Sequence, residues 1–150
     1  MPRGSRRLPR KCLRLLAAAD LILHAGDFVS AAVLDELGEL APVAGVAGNM
    51  DDEEVRSRLP ERRIVEVEGM RIGMVHDAGP AFGRAERLVA AFPGCAAVVY
   101  GHTHVPEATR LGETWILTPG SPTERRSSPH HSMLGLTAAE GRLDVRTYVL

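Results

Sequence analysis

Five side chains of this sequence have the chemistry to bind a divalent metal ion. They are a carboxylate, an amide and three imidazoles: Asp27, Asn49, His76, His102 and His104. Such a mixed set of oxygen and nitrogen donors suits Mn²⁺, Fe²⁺, Zn²⁺ and similar ions. A single histidine is more often a hydrogen-bonded structural residue, and a Gly-Asp or Gly-Asn pair is usually only a turn. The case for a metal site therefore depends on whether the five residues converge.

Short apolar runs precede these residues and are predicted to be β-strands. In an α/β sheet, ligands bind outside the carboxyl ends of the strands, so separate strand ends meet in one crevice. Four strand ends that each finish in a metal-binding residue favour a metal site over coincidence. The predicted strands before them span residues 21–24, 43–47, 70–75 and 96–100, and predicted helices span residues 8–19, 31–40 and 83–92.

Composition limits the class of protein. With 150 residues, 45% hydrophobic and 25% charged, the chain has the profile of one globular domain. A net charge of -1 and an aromatic content of 4% argue against nucleic-acid binding. No apolar run approaches the roughly 18 residues of a membrane span and no signal peptide is evident, so we expect a cytoplasmic protein. Cys12 and Cys95 lack C-x-x-C spacing and are predicted to be reduced, packed thiols.

The order of several short motifs is characteristic. The motifs are Leu23-His24-Ala25-Gly26-Asp27, Gly48-Asn49-Met50-Asp51, Val75-His76, Gly101-His102-Thr103-His104-Val105-Pro106 and Pro119-Gly120-Ser121-Pro122. Together they resemble the small bacterial and archaeal phosphodiesterases of the calcineurin-like metallophosphoesterase superfamily, over nearly the whole chain. The resemblance implies an α/β fold of the αββα sandwich type, in which two mixed β-sheets pack face to face with helices outside. It also implies a single domain over residues 1–150 and a two-metal centre.

The resemblance assigns a role to each candidate residue. Asp27 would bridge both metal ions, and Asn49, His76 and His102 would complete the shell of one ion. His104 would bind the other ion. The most favoured metal is Mn²⁺, with Zn²⁺, Fe²⁺ and Ni²⁺ as alternatives. Asp51 lies where relatives carry an acidic residue that supports the ligands and does not itself bind metal.

The chemistry that the resemblance implies is phosphoester hydrolysis by a metal-bound hydroxide. The expected substrate is a small phosphodiester or a nucleotide, and the expected activity is that of a phosphodiesterase. A different class of function stays open: a non-catalytic scaffold on the same fold, as in the retromer subunit that resembles these enzymes. The two hypotheses differ in whether the protein binds metal and hydrolyses phosphodiesters.

One departure from the family concerns the start of the chain. Relatives open with a strand ending in Asp-x-His, whereas residues 1–4 resemble the segment that follows that strand. Either the start codon lies upstream and the natural protein is longer, or one metal site has been lost. All five candidate metal ligands are present in the sequence, which favours the first explanation. For the chain as it stands we expect about one metal ion, weak activity and association into a homo-oligomer through an exposed strand edge.

Other departures lie near the predicted site. Asp77 and Ala78 follow His76, where relatives usually have a glycine and then a histidine. Asp77 is therefore either an additional ligand or a surface carboxylate. Arg125 or Arg126 stands where relatives often have an arginine, and either one could contact a phosphate or remain a solvated surface residue.

Overall fold

The computed structural model describes residues 7–150, so residues 1–4, on which the expectation of a lost strand depends, lie outside the described part. No helix in residues 7–150 is long and apolar enough to cross a membrane. The elements in chain order are α1 (Arg10–Ala17), β1 (Ile22–His24), α2 (Ala31–Leu40), β2 (Val43–Gly45), α3 (Glu53–Arg58), β3 (Arg62–Val67), β4 (Met70–Val75), α4 (Arg84–Ala91), β5 (Ala97–Tyr100), β6 (Glu107–Leu111), β7 (Thr114–Thr118), β8 (Ser132–Ala139) and β9 (Arg142–Val149).

A five-stranded mixed sheet forms one inner layer, with the strand order β3-β4-β5-β7-β6. Strand β5 pairs in parallel with both β4 and β7, and the two outer pairs are antiparallel. All four residues of β5 are buried, as expected for an unbroken apolar run with a layer on each face. Because β4 and β5 are parallel, their carboxyl ends lie at the same edge of the sheet. This edge carries His76 and His102.

The second inner layer consists of two separate two-stranded ladders, the parallel pair β1-β2 and the antiparallel hairpin β8-β9. Side chains of both ladders join one apolar cluster against the same face of the five-stranded sheet, including Leu23, Leu134 and Val145, together with Val46, which directly follows β2. No strand pairing joins the two ladders in residues 7–150. The layer is therefore held together by side-chain packing and not by a continuous backbone ladder.

Helices cover both outer faces. Helix α2 follows Ser30 and stops before Pro42, and it buries Ala31, Leu34 and Leu37, which share one helical face. These side chains pack with Ile22 and Val55 in a cluster formed by the helices on the β1-β2 side. Helix α4 covers the opposite face of the five-stranded sheet. The order of layers, helix, sheet, sheet and helix, confirms the predicted sandwich.

Candidate metal centre

Two carboxylates hold the loops after β1 and β2 against each other. Asp27 Oδ1 accepts the Met50 N–H at 2.8 Å, from the other loop. In the reverse direction, Asp51 Oδ1 accepts the Val29 N–H at 2.8 Å, while Asp51 Oδ2 accepts the Gly48 N–H at 2.6 Å. Residues 26–29 and 48–51 are therefore joined reciprocally, and we call this arrangement the carboxylate clasp. It fixes Asp27 relative to Asn49.

The clasp imposes an unusual backbone on the first loop. Asp27 has φ 62° and Val29 has φ 78°, both in the left-handed region that β-branched residues strongly disfavour. On the second loop, a Cβ at Gly48 would lie 2.2 Å from the Asp27 backbone nitrogen. The glycine is thus needed because the two backbones approach too closely for any side chain.

His76 connects the clasp to the five-stranded sheet. Its Nδ1 lies 2.7 Å from the Ala25 carbonyl oxygen, which can only accept, so Nδ1 carries the proton. In the neutral ring the opposite nitrogen, Nε2, has a lone pair that faces Asn49 Oδ1 at 2.9 Å and Asp27 Oδ1 at 3.4 Å. In that state three electron-rich atoms face one another, an arrangement that a cation between them would stabilise.

The turn after β5 brings a second imidazole to the same point. His102 has φ 66°, and its Nδ1 lies 3.2 Å from Asn49 Oδ1. Its ring stands edge-on to the His76 ring with 5.3 Å between centroids. The turn can enter this space because residue 101 is glycine, where a Cβ would lie 2.4 Å from the Ala25 carbonyl oxygen. The amide oxygen of Asn49 is thus within hydrogen-bond distance of both histidines.

His104 is bonded to the loop that follows β7. Its Nδ1 donates to the Glu124 carbonyl oxygen at 2.7 Å, and within residues 7–150 no hydrogen bond joins it to the other four candidates. Burial, and then the neighbouring Arg126 guanidinium, lower the pKa of His104 to about 4, so the ring is neutral at pH 7. The structure therefore brings together Asp27, Asn49 and two of the histidines, and holds the third beside them.

The donor chemistry fits one divalent ion. Two carboxylate or amide oxygens and two imidazole nitrogens suit Mn²⁺ or Zn²⁺, and an imidazole whose other nitrogen donates to a carbonyl is typical of a metal ligand. Counting only His, Cys, Asp and Glu side chains, residues 7–150 contain no group of three placed to hold a metal. A metal site formed by Asp27, His76 and His102 therefore requires the amide oxygen of Asn49 as a further ligand.

Asp77, Arg125 and Arg126, to which the sequence assigns two alternative roles each, have defined contacts in the structure. Asp77 is exposed and accepts the Gly79 N–H at 2.8 Å, which makes it a turn residue in this conformation. Arg126 Nη1 donates to the His102 carbonyl at 2.9 Å, whereas Arg125 donates to the Pro129 carbonyl at 2.8 Å. Of the two arginines, Arg126 is thus the one directly bonded to the turn that carries His102.

His24 was not assigned to the site from the sequence, yet it supports the first loop. Its Nδ1 accepts the Gly26 N–H at 3.2 Å, and its ring stacks on Phe28 at 3.6 Å between centroids. Burial is the main cause that lowers the pKa of His24 to about 3. The only sequence signal for this role is its position one residue before the Ala-Gly-Asp turn.

The comparison with known families agrees with this architecture. The model of the calcineurin-like phosphoesterase superfamily domain matches residues 4–141. The chain belongs to this superfamily. Membership makes it a phosphoesterase-type protein of a family that uses divalent metals, which confirms the family predicted from the motifs.

Two archaeal proteins of the superfamily are similar over most of the chain. A probable metallophosphoesterase of Methanothermobacter thermautotrophicus is 35% identical over 130 residues, covering 84% of this chain and 74% of that protein. A second, from Methanocaldococcus jannaschii, is 33% identical over 143 residues, covering 93% of this chain and 71% of that protein.

Solved structures show the same superfamily fold. A Thermotoga maritima protein matches with a TM-score of 0.74 and 30% identity, over 95% of this chain and 88% of that one. A single mutant of Vps29 from Entamoeba histolytica gives a TM-score of 0.78 at 21% identity, over 100% and 94% of the two chains. An archaeal phosphodiesterase gives 0.75 at 20% identity, over 94% and 90%. The last two share the fold alone at this level of identity.

Proposed function

We propose that the protein is a divalent-metal-dependent phosphodiesterase that hydrolyses a small phosphodiester. The observation that supports this most is the position of Asn49 Oδ1, 2.9 Å from His76 Nε2 and 3.2 Å from His102 Nδ1. An amide oxygen within hydrogen-bond distance of two imidazole nitrogens forms a donor set that a divalent cation can occupy, and membership of a metal-dependent phosphoesterase family supports phosphoester hydrolysis as the chemistry.

The chain's own residues would hold the metal and the substrate. Asp27, Asn49, His76 and His102 are the proposed ligands of one ion, which we propose to be Mn²⁺, and Asp27 with His104 would contribute to a second. A bound divalent ion supplies Lewis-acid chemistry, because it acidifies water and neutralises charge on the phosphate. Arg126 lies beside His102, and its exposed guanidinium is the proposed partner of a phosphate oxygen.

The arrangement also accounts for the orientation of the ligands. His76 is fixed through its Nδ1–H bond to Ala25, so its Nε2 faces the centre without a change of tautomer. Asp27 is fixed within the clasp by the Met50 N–H bond, so its carboxylate does not have to be ordered when metal binds. Such preorganisation lowers the cost of binding a cation.

The test is hydrolysis of bis(p-nitrophenyl) phosphate with and without Mn²⁺. We expect Mn²⁺ to raise the rate, a chelator to remove the increase, and Asp27→Asn to abolish the metal-dependent part. Asp20→Asn is the matched control, because Asp20 is an exposed carboxylate outside the centre. Equal rates for the two variants, or a rate that the chelator leaves unchanged, would contradict the proposal.

A second candidate function is a non-catalytic scaffold that binds a partner protein. It is favoured by the small ligand set of the second ion, for which only Asp27 and His104 are proposed within residues 7–150. On this hypothesis the purified protein hydrolyses no diester with Mn²⁺, Zn²⁺, Fe²⁺ or Ni²⁺. Metal-dependent hydrolysis in the assay above would reject it.

A further inference from the structure

The Pro119-Gly120-Ser121-Pro122 motif opens the loop between β7 and β8, residues 119–131, which we call the β7-β8 loop. This loop contacts the turn after β5 through the Glu124 carbonyl, which accepts the Nδ1–H of His104 at 2.7 Å. The position of one backbone carbonyl therefore controls the imidazole of a proposed metal ligand. A residue that fixes this carbonyl acts on the ligand from a distance.

Ser121 fixes the segment that carries the Glu124 carbonyl. It is 5% exposed, and its Oγ accepts the Thr123 N–H at 3.3 Å and the Glu124 N–H at 3.0 Å. A hydroxyl that accepts backbone N–H groups two and three residues further along imposes a local turn on the chain. The backbone at Glu124 is therefore restrained by a side chain of the motif.

The backbone of Ser121 is itself anchored to the first residue of β8. The Ser132 N–H donates to the Ser121 carbonyl at 3.1 Å, and the Ser132 hydroxyl donates to the Pro119 carbonyl at 2.9 Å. Gly120 has φ 75° and leaves the space for this contact, since a Cβ there would lie 2.0 Å from Ser132 Oγ. The Ser121 hydroxyl therefore extends from a fixed backbone and links β8 to Glu124.

The bond to Glu124 decides which nitrogen of His104 keeps a lone pair. A backbone carbonyl only accepts, so Nδ1 carries the proton and Nε2 is free. A neutral imidazole without such a partner carries its proton mainly on Nε2 in water, and a protonated nitrogen cannot bind a metal. After burial and Arg126, smaller influences on the pKa of His104 come from Asp27 and His102, so both lie within electrostatic reach of the ring.

We propose that Ser121 is a positioning residue for His104: through the Glu124 carbonyl it holds this imidazole in the Nδ1–H tautomer and keeps Nε2 available to a divalent cation. The inference rests on the proposed phosphodiesterase function, in which His104 is a ligand of the second ion. Ser128 is the matched comparison, because it is equally buried in the same loop but donates its hydroxyl hydrogen to the His130 carbonyl, at 2.9 Å.

The first test observes the tautomer of His104 in the metal-free protein. Long-range ¹H–¹⁵N correlation spectra at pH 8 distinguish a protonated from an unprotonated ring nitrogen, and His104→Ala assigns the signals. We expect the Nδ1–H form in the wild type and the Nε2–H form as the major species in Ser121→Ala. Ser128→Ala, and Ser121→Thr with its accepting hydroxyl, should retain the Nδ1–H form. An unchanged tautomer in Ser121→Ala, or an equal shift in Ser128→Ala, would overturn the inference.

The signals of His76 in the same spectra report whether each variant is folded, because its Nδ1–H bond to Ala25 involves no residue of the β7-β8 loop. If Ser121→Ala does not fold, Ser121→Cys replaces it, since a thiol is of similar size and a weaker acceptor. We then expect a mixture of both tautomers of His104. The Nδ1–H form alone in Ser121→Cys would also overturn the inference.

The second test measures whether the tautomer serves the metal. The Mn²⁺ concentration for half-maximal hydrolysis of bis(p-nitrophenyl) phosphate should rise about tenfold in Ser121→Ala and less than about twofold in Ser128→Ala, because loss of a partner that orients a ligand weakens metal binding. A tautomer shift with an unchanged Mn²⁺ requirement would overturn the inference and keep the phosphodiesterase. A tautomer shift in a protein whose wild type shows no Mn²⁺-dependent hydrolysis would reject the phosphodiesterase and keep the control of His104 by Ser121.

Discussion

The two sides of the proposed centre are held by opposite kinds of hydrogen bond. On the β1-β2 side, the carboxylates of Asp27 and Asp51 accept backbone N–H groups across the clasp. On the side of the five-stranded sheet, His76 and His104 donate from Nδ1 to backbone carbonyls, both at 2.7 Å. The clasp therefore fixes the distance between loops, whereas the imidazole bonds fix the orientation of single side chains. We therefore expect mutations of the clasp to lower the stability of the fold, and mutations of the histidines to lower the affinity for metal.

The largest expected effect is a difference in Mn²⁺ affinity between variants of His76 and His104, two histidines that make the same kind of hydrogen bond. His76→Ala removes a nitrogen that faces Asn49 and Asp27, so we expect the Kd for Mn²⁺ to rise by about 100-fold or more. His104→Ala removes a ring outside the four-donor set and should change the affinity for the first ion by less than about threefold. Isothermal titration with Mn²⁺ measures both, with His130→Ala, an exposed histidine, as the control. Equal losses for His76 and His104 would show that both belong to one shell.

On the clasp side, neighbouring aspartates should differ in their effect on stability. Asp51→Ala leaves the N–H groups of Gly48 and Val29 without acceptors, and we expect it to lower the free energy of unfolding by about 2–5 kcal/mol. Asp52→Ala removes only the cap of α3, the bond from the Val55 N–H at 2.9 Å, and should cost about 1 kcal/mol. Urea unfolding without metal measures the difference. Similar costs for both variants would mean that the clasp contributes no more than a helix cap.

His24 is held by the opposite kind of bond from His76, because this imidazole accepts an N–H group where His76 donates one. Its pKa is lowered to about 3, so the folded state disfavours protonation that the unfolded chain undergoes near pH 6.5. The stabilisation is present above pH 6.5 and is lost as the pH falls towards 3. We expect His24→Asn, which keeps an acceptor that does not titrate, to gain about 2 kcal/mol relative to wild type between pH 7 and pH 4.5. Parallel stability curves for the two proteins would refute this.

The smallest effect concerns backbone strain in the clasp. Val29 has φ 78°, a conformation that costs a β-branched residue about 1–2 kcal/mol. Val29→Gly removes this strain but adds conformational entropy to the unfolded chain, so we expect a net stabilisation of about 0.5 kcal/mol. Thermal unfolding of Val29→Gly against wild type is the measurement. A loss above about 1 kcal/mol would indicate that packing of the valine outweighs the strain.

Much of the fold followed from the pattern of apolar residues. The run of residues 96–100 is predicted as a buried strand and forms β5, because five consecutive apolar residues need cover on both faces. Helix α2 occupies the predicted residues 31–40, since its apolar spacing and Pro42 define it locally. Helix α3 was missed: its six residues are too few to show a helical period, and its start depends on Asp52 as the cap.

The amino-acid motifs alone specify which residue types follow the strands and, through their order, the superfamily. Which of these side chains face one another depends on the tertiary structure. His102 and His104 are two residues apart and equivalent by motif, yet one meets Asn49 and the other Glu124. Asp51 bonds to Val29, 22 residues away. Hydrogen-bond direction and distance between loops depend on where the strands place them, and no local pattern encodes that placement.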